Sequence, residues 1–283
     1  MLRTPVSVIV TTYNEAENLP DCLESVCWAA DLVVVDSGSS DATAAIARRY
    51  GVRFLEHPYE SAGRQKNWAL AQVVHPWVLI LDADERVTPE LAAEIRAIVA
   101  ADGPLDGYFV GRRSFFLGHE IRHCGWNRER VLRLFRAGSG RYDDRLVHER
   151  LQLAGRAGSL RASLLHYTYR SFASYLDRLQ RYTARGAADL RAAGRRPTLA
   201  ALLLRPPARF LRMYVLQLGI LDGLHGLLLC TLSAYSVWLK YARLYDDAPS
   251  STTAPAPAAE APPAAAPPTA SPTAAPRREQ VLP

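Results

Sequence analysis

Residues 77–86 read Trp-Val-Leu-Ile-Leu-Asp-Ala-Asp-Glu-Arg (WVLILDADER), and this stretch decides the fold. Five apolar residues make a run short enough for a buried strand. Two carboxylates, Asp82 and Asp84, follow at the strand's carboxyl end. Carboxylates two residues apart there can jointly face a divalent cation, and Mg²⁺ and Mn²⁺ take oxygen ligands. The same letters also describe a solvated acidic turn leading into the next helix, so position must discriminate.

Working outward, the preceding residues alternate between strand and helix patterns. Residues 6–10 (VSVIV), 32–36 (LVVVD) and 52–55 are short β-branched runs. Helical periodicity falls on 15–28, on 42–50 with Asp41 as N-cap, and on 64–73. After the decisive stretch, Thr88 caps a helix from Pro89 to about Ala100, with proline at the favoured first position. A β-α-β-α-β-α-β-α order implies an α/β fold with a mostly parallel central sheet flanked by helices. Ligands in such sheets bind beyond the carboxyl ends of the strands. Polar groups sit at three of those ends. Tyr13 and Glu15 follow the first strand and can stack on and bond to a base. Asp36 ends the second and can accept hydrogen bonds from a ribose or base. Each also reads as an ordinary turn or helix-entry residue. There is no P-loop and no G-x-G-x-x-G fingerprint, which points to a nucleotide diphosphate held through metal.

The charge is split. Residues 1–100 carry 14 acids and 8 Lys+Arg, whereas residues 101–247 carry 12 acids and 24 Lys+Arg. Such asymmetry suggests an anionic partner for the second part. Beyond residue 107 the pattern changes to short strands, then to an amphipathic helix from Ser171 to about Ala193. Between Arg185 and Arg212 there are seven arginines and one acid, Asp189. A strongly apolar stretch then runs from 218 to 239, interrupted by Asp222 and His225. A basic cluster beside an apolar segment suits an anionic bilayer surface. Interfacial or re-entrant helices fit 218–239 better than a true span, since a span needs about 20 mostly apolar residues. A helix pair packed on the catalytic domain is the alternative. Nucleic acid is not indicated, because no recognition motif accompanies the charge.

The divisions expected are therefore 1–200 as the folded unit (halves 1–100 and 101–200, the first placed to bind a nucleotide), 201–247 as an apolar membrane-associated helical segment, and 248–283 as a disordered tail. The last 36 residues hold 10 of the 19 prolines and almost no large apolar side chain. The four cysteines, Cys22, Cys27, Cys124 and Cys230, show neither metal-ligand spacing nor a disulfide framework, so a reducing compartment is expected. Cys22 and Cys27 read as buried thiols. His119, His123 and Cys124 resemble metal ligands only loosely and suggest a solvated loop. His166 reads either as lining the acceptor cleft or as a hydrogen-bonded core histidine. The N-terminal apolar run is too short for a signal peptide.

The segments 6–26 (VSVIVTTYNEAENLPDCLESV), 33–43 (VVVDSGSSDAT), 63–70 (GRQKNWAL) and 81–91 (LDADERVTPEL) resemble the nucleotide-binding half of glycosyltransferase family 2, with the GT-A fold. Later segments, among them 108–126, 133–142, 147–151, 164–171 and 209–242, are similar to the lipopolysaccharide core β-1,4-glucosyltransferase subgroup, which uses UDP-glucose and a heptose acceptor. The resemblance implies an inverting hexosyltransferase that takes a nucleotide sugar and a lipid-linked saccharide on the cytoplasmic face of the inner membrane. It implies nucleoside contacts from Tyr13, Glu15 and Asp36, with Gln65, Lys66 and Asn67 beside the nucleotide and Lys66 near phosphate. It implies Asp82 and Asp84 as the metal-bridging motif, Asp84 the more direct ligand. An inverting transferase needs a base to deprotonate the acceptor hydroxyl. In Val147-His148-Glu149-Arg150 the candidate base is Glu149 and the candidate substrate or metal contact is His148. Alternatively Glu149 is a strand-end residue paired with Arg145 or Arg150. Arg133 and Arg136 either stabilise the leaving group or mark two faces of a strand. Other readings are a polyprenyl-phosphate acceptor, a sugar-1-phosphate nucleotidyltransferase (which would want a glycine-rich basic segment where TTYNE stands), and a nucleotide-sugar-binding scaffold without turnover.

Overall fold

A computed structural model of the chain describes residues 3–126, 129–143, 150–196 and 198–246. Its centre is a nine-stranded sheet. Four parallel strands, β1 (Thr4–Thr12), β2 (Ala29–Asp36), β3 (Arg53–Glu56) and β4 (Trp77–Asp82), lie in the order β3-β2-β1-β4. The connecting helices are α1 (Leu19–Ser25), α2 (Thr43–Arg49) and α3 (Ala62–Leu70). The expected strand–helix alternation is thus present. The first helix is shorter than its periodicity suggested, because Asn14 is left-handed (φ 54°) and the 14–18 segment is a turn. The second helix begins at Thr43, with Ala42 rather than Asp41 in the cap position. Asp41 still serves that end, accepting from the Thr43 and Ala16 N–H groups.

The middles of β1, β2 and β4 are buried and mostly apolar because helices cover both faces. Side chains alternate across a strand. Val6, Val8 and Val10 therefore join Leu79, Leu81, Leu91 and Ile95 in one core, while Ile9, Val33, Val35, Val78 and Ile80 join Phe135 and Ala69 in the other.

After β4 the chain turns through Ala83-Asp84 into β5 (Glu85–Val87) and then α4 (Pro89–Ala100), capped by the Thr88 side chain. The sheet continues with β8 (Arg130–Arg136) antiparallel to β4, β6 (Gly107–Phe116) antiparallel to β8, β11 (Ala157–Tyr169) parallel to β6, and finally β5 antiparallel to β11; β7 (His119–Ile121) pairs β6. Two short strands, β9 (Gly140–Tyr142) and β10 (Leu151–Leu153), form a separate ribbon. The residues between them, which include His148 and Glu149, lie outside the described residues.

Helix α5 (Phe172–Ala192) buries Tyr175, Leu179, Thr183 and Ala187, one side chain per turn on a single face. Helix α6 (Leu199–Leu211) runs through Pro206 and Pro207 instead of ending before them. The apolar stretch is not one uninterrupted helix. Leu218 is left-handed (φ 57°), a single turn covers Gly219–Asp222, and α7 occupies Gly223–Ala242. Gly226 permits this: a Cβ there would lie 2.0 Å from the Gly219 carbonyl oxygen. The span Gly219–Tyr245 is long and apolar enough to cross a membrane by length and composition, with mean hydropathy 1.4. Both of its ends are nevertheless tied to the rest of the protein. Asp222, buried, accepts from the N–H groups of Arg122 and His123, while Arg191 of α5 donates to the Arg243 and Asp246 carbonyls. Residues 247–283, which hold the proline-rich tail, lie outside the described residues.

Candidate active site at the carboxyl edge of the sheet

Register brings the three polar strand ends together. Thr12 pairs with Asp36 across β1 and β2, and Thr11 pairs with Asp82 across β1 and β4. The pairing of β5 with β11 sets Glu85 opposite His166, so the Asp-Ala-Asp-Glu turn is held between two strands. Arg86 fixes its shape, donating to the Ala83 and Glu85 carbonyls at 2.8 and 2.9 Å, and the Tyr167 N–H donates to the Asp84 carbonyl at 2.9 Å.

Charge is concentrated here. Asp82 is met by Arg133, by Lys66 at 3.3 Å and by Arg112 at 3.5 Å. Burial opposes ionisation, yet Arg133, Lys66 and Arg112 hold the Asp82 carboxyl well below the usual carboxylate range. Glu85 is fully buried and accepts from Arg112 and Arg133, each at 2.8 Å, and from the Asp82 N–H at 3.0 Å. Two carboxylates and three cations thus form one network, and Arg112 also pairs with Glu129 at 3.2 Å, which makes the set neutral at neutral pH.

Asp84 points elsewhere. Its Oδ2 lies 3.6 Å from His166 Nε2, beyond ordinary hydrogen-bond length. Burial lowers the affinity of His166 for a proton, but its contact with Asp84 outweighs this and raises the imidazole above its ordinary value. A carboxylate oxygen and an imidazole nitrogen so placed are a donor pair that suits Mn²⁺, with other positions left to diphosphate or water. Glu15 completes the rim. Burial pushes its carboxyl up, opposed by a 2.7 Å bond from Asn18, and Asp84, Arg178 and Asp82 all lie near enough to act on it.

The remaining expected residues take distinct places. Tyr13 is 40% exposed in the loop after β1, free to offer a ring face. Asp36 is buried and accepts from Thr12, from the Gly38 and Ser39 N–H groups and from the Ser39 hydroxyl, so it shapes the loop after β2. Gln65 bonds His57 and Ser37. Asn67 clamps the peptide of Tyr142 with two bonds, 2.8 and 2.9 Å, and so anchors the strand that leads into 144–149. Lys66 lies over the Tyr142 ring, 5.3 Å from its centroid.

Arg133 and Arg136 part company. Arg133 enters the charge network, whereas Arg136 lies at the far end of β8, paired with Asp102 and stacked over Trp77. Three positions were not visible from motifs: Arg112, Arg86 and Arg178. Arg112 lies in β6, adjacent to β8 only through antiparallel pairing, so nothing local marks it. His119, His123 and Cys124 are not a shared metal site. His119 stacks on His225, His123 bonds Asp222, and Cys124 is buried 3.7 Å from Cys230. All four cysteines are free, and Cys27 is exposed, contrary to its reading as a buried thiol.

The sequence model of Glycosyl transferase family 2 matches residues 7–152, the strand-and-helix unit that builds this edge. The chain belongs to that family. A relative in Rhizobium meliloti (strain 1021), a lipopolysaccharide core biosynthesis glycosyltransferase LpsC, is 33% identical over 250 residues, 86% of this chain and 93% of the relative. An uncharacterized glycosyltransferase of Rickettsia felis is 25% identical over 84% of the chain and 89% of its own length. Among solved structures, S. aureus TarS 1–349 overlaps 84% of the chain and 91% of its own at 16% identity, with a TM-score of 0.43. Glucosyl-3-phosphoglycerate synthase from Mycobacterium tuberculosis, solved with Mn²⁺ and UDP, overlaps 40% of the chain at 21% identity, with a TM-score of 0.31. This family 2 glycosyltransferase has the GT-A architecture: a mostly parallel sheet flanked by helices, an antiparallel extension, and an apolar C-terminal helix.

Proposed function

We propose that this glycosyltransferase moves a hexose, glucose from UDP-glucose, to a lipid-linked saccharide such as the lipopolysaccharide inner core, with inversion and with a divalent cation. The observation that carries this reading is the division of labour at the sheet edge. Asp82 is occupied by three cations, while Asp84 and His166 stand as an oxygen–nitrogen donor pair beside it. Asp84 and His166 would hold the cation, which when bound offsets charge on the departing diphosphate. The protein's own groups do the rest. Tyr13 and Glu15 orient the nucleoside. Lys66, Arg112 and Arg133 fix Asp82 and supply N–H donors beside the diphosphate. The base assigned to Glu149, with His148 beside it, follows a strand that Asn67 pins in place.

Association with a membrane surface fits the apolar side chains that α6 and the segment after it leave in solvent. Leu204, Leu211, Leu216 and Leu224 are 67%, 56%, 78% and 67% exposed. Because both ends of Gly219–Tyr245 are tied to the protein, the reading is an interfacial helix pair on the cytoplasmic face.

A donor screen by thermal shift tests the function. UDP-glucose with Mn²⁺ at a hundredfold excess over its Kd stabilises the folded state by about 2.7 kcal/mol. Stabilisation by UDP-glucose above UDP-galactose and GDP-mannose supports the reading. Equal silence from all nucleotide sugars overturns it.

A further inference from the structure

A cavity of about 440 Å³ opens between α5, α6 and α7. Its wall carries Arg178 from α5, Arg209 from α6 and Lys240 from α7, together with Tyr169, Tyr182 and Ser236. No carboxylate lines it among the described residues. Lys240 is half-buried, and its ammonium is held below its ordinary value by burial and by the charges of Arg205 and Arg209. Like charges gathered around a cavity raise the energy of the empty state, and an anion relieves it. Arg178 links this cavity to the donor edge. It lies over the Tyr169 ring, 5.1 Å from its centroid, near enough to Asp84 and Glu15 for their charges to act on it. Tyrosine and serine hydroxyls supply neutral donors beside the cations. Such a set, with guanidinium forks and hydroxyls around a space of a few hundred cubic ångströms, matches phosphate oxygens.

We propose that this cavity is a phosphate subsite on the acceptor side, in which Arg209 and Lys240 hold a phosphate group and Arg178 aligns it with the donor edge. The inference rests on the transferase reading above, and it names what that reading leaves open: an acceptor anchored by phosphate some distance from its reacting hydroxyl. Two sources share the chemistry, a phosphate ester on the saccharide and a phospholipid headgroup beside it.

The test uses the full chain with UDP and diamagnetic Mg²⁺ present to fill the donor edge, and follows inorganic phosphate by ³¹P line broadening. A second arm measures co-sedimentation with vesicles of phosphatidylglycerol and phosphatidylcholine against vesicles of phosphatidylcholine alone. R209Q/K240Q is compared with wild type and with R209K/K240R, which keeps both charges. Weakening of phosphate binding by roughly tenfold or more in R209Q/K240Q, restored in R209K/K240R, supports the subsite with a saccharide-borne phosphate. Loss confined to the phosphatidylglycerol preference, with the same rescue, supports the headgroup source. Phosphate and vesicle binding unchanged in R209Q/K240Q overturns the proposal. UDP affinity on the same samples is a separate readout: its absence in wild type refutes the transferase reading rather than the subsite.

Discussion

Arg133→Met removes the cation shared by Asp82 and Glu85, and the structure sets the size of the effect. Both Arg133 and Glu85 are buried, with side chains 4% and 0% exposed and a 2.8 Å contact. Breaking a buried ion pair from one side costs about 3–5 kcal/mol, because the survivor is left without compensation. Here Glu85 keeps Arg112 at 2.8 Å and the Asp82 N–H at 3.0 Å, so the expected loss lies at the low end, about 3 kcal/mol. For a folded unit of this size that is a fall in Tm of roughly 6–12 °C. Glu85→Gln keeps an acceptor for the Asp82 N–H while removing the charge. Because the two side chains act on each other, the double variant should lose less than the sum of the singles, by about 1–3 kcal/mol. Urea unfolding followed by tryptophan fluorescence measures all four corners of the cycle. Arg133→Met within about 0.5 kcal/mol of wild type, or strict additivity in the double variant, refutes the claim that these charges form one buried network.

Other consequences can be checked separately. Asn67→Ala deletes both bonds to the Tyr142 peptide and should cost about 1–3 kcal/mol in urea unfolding, since a buried peptide loses its partners. Asn67→Asp keeps only an acceptor and should fall between the two. Replacing Leu204, Leu211, Leu216 and Leu224 together by Gln should abolish sedimentation with phosphatidylglycerol vesicles while leaving the melting profile close to wild type, because all four are exposed. Deleting the whole segment would be a poorer experiment, since Met213, Leu229 and Cys230 belong to a buried cluster. Glu120 gives a pH prediction. Its bidentate bond with Arg113, at 2.8 and 2.9 Å, holds its carboxyl below the ordinary glutamate value. That stabilisation is complete above the unfolded pKa and disappears as pH falls through the depressed folded value. Glu120→Gln should therefore lower stability at pH 7 and converge with wild type in acid.

How much was legible follows from the range of each signal. Strand runs such as 32–36 and the Asp82-Ala-Asp84 turn are local, and a parallel sheet places its strand ends along one edge whatever the distant contacts, so the polar edge was readable. Thr88 announced its helix for the same local reason, and Asp41 marked the approach to α2 one residue before the Ala42 cap. Arg112 was not readable, because antiparallel pairing of β6 and β8 brings it to Glu85 across 27 residues of chain. Arg178 depends on the docking of α5 over the edge. The break at Leu218 was also hidden, because the close approach of Gly219 and Gly226 is a tertiary contact.

The most direct test of the central claim is turnover itself. Nucleoside diphosphate release from UDP-glucose is followed with a lipid-linked saccharide acceptor and Mn²⁺, in wild type and in Asp84→Ala, with circular dichroism confirming that both are folded. The account predicts release in wild type that falls at least a hundredfold in Asp84→Ala, about 2.7 kcal/mol in barrier height, and stops when the cation is chelated. Release that Asp84→Ala leaves intact, or that chelation does not touch, contradicts it.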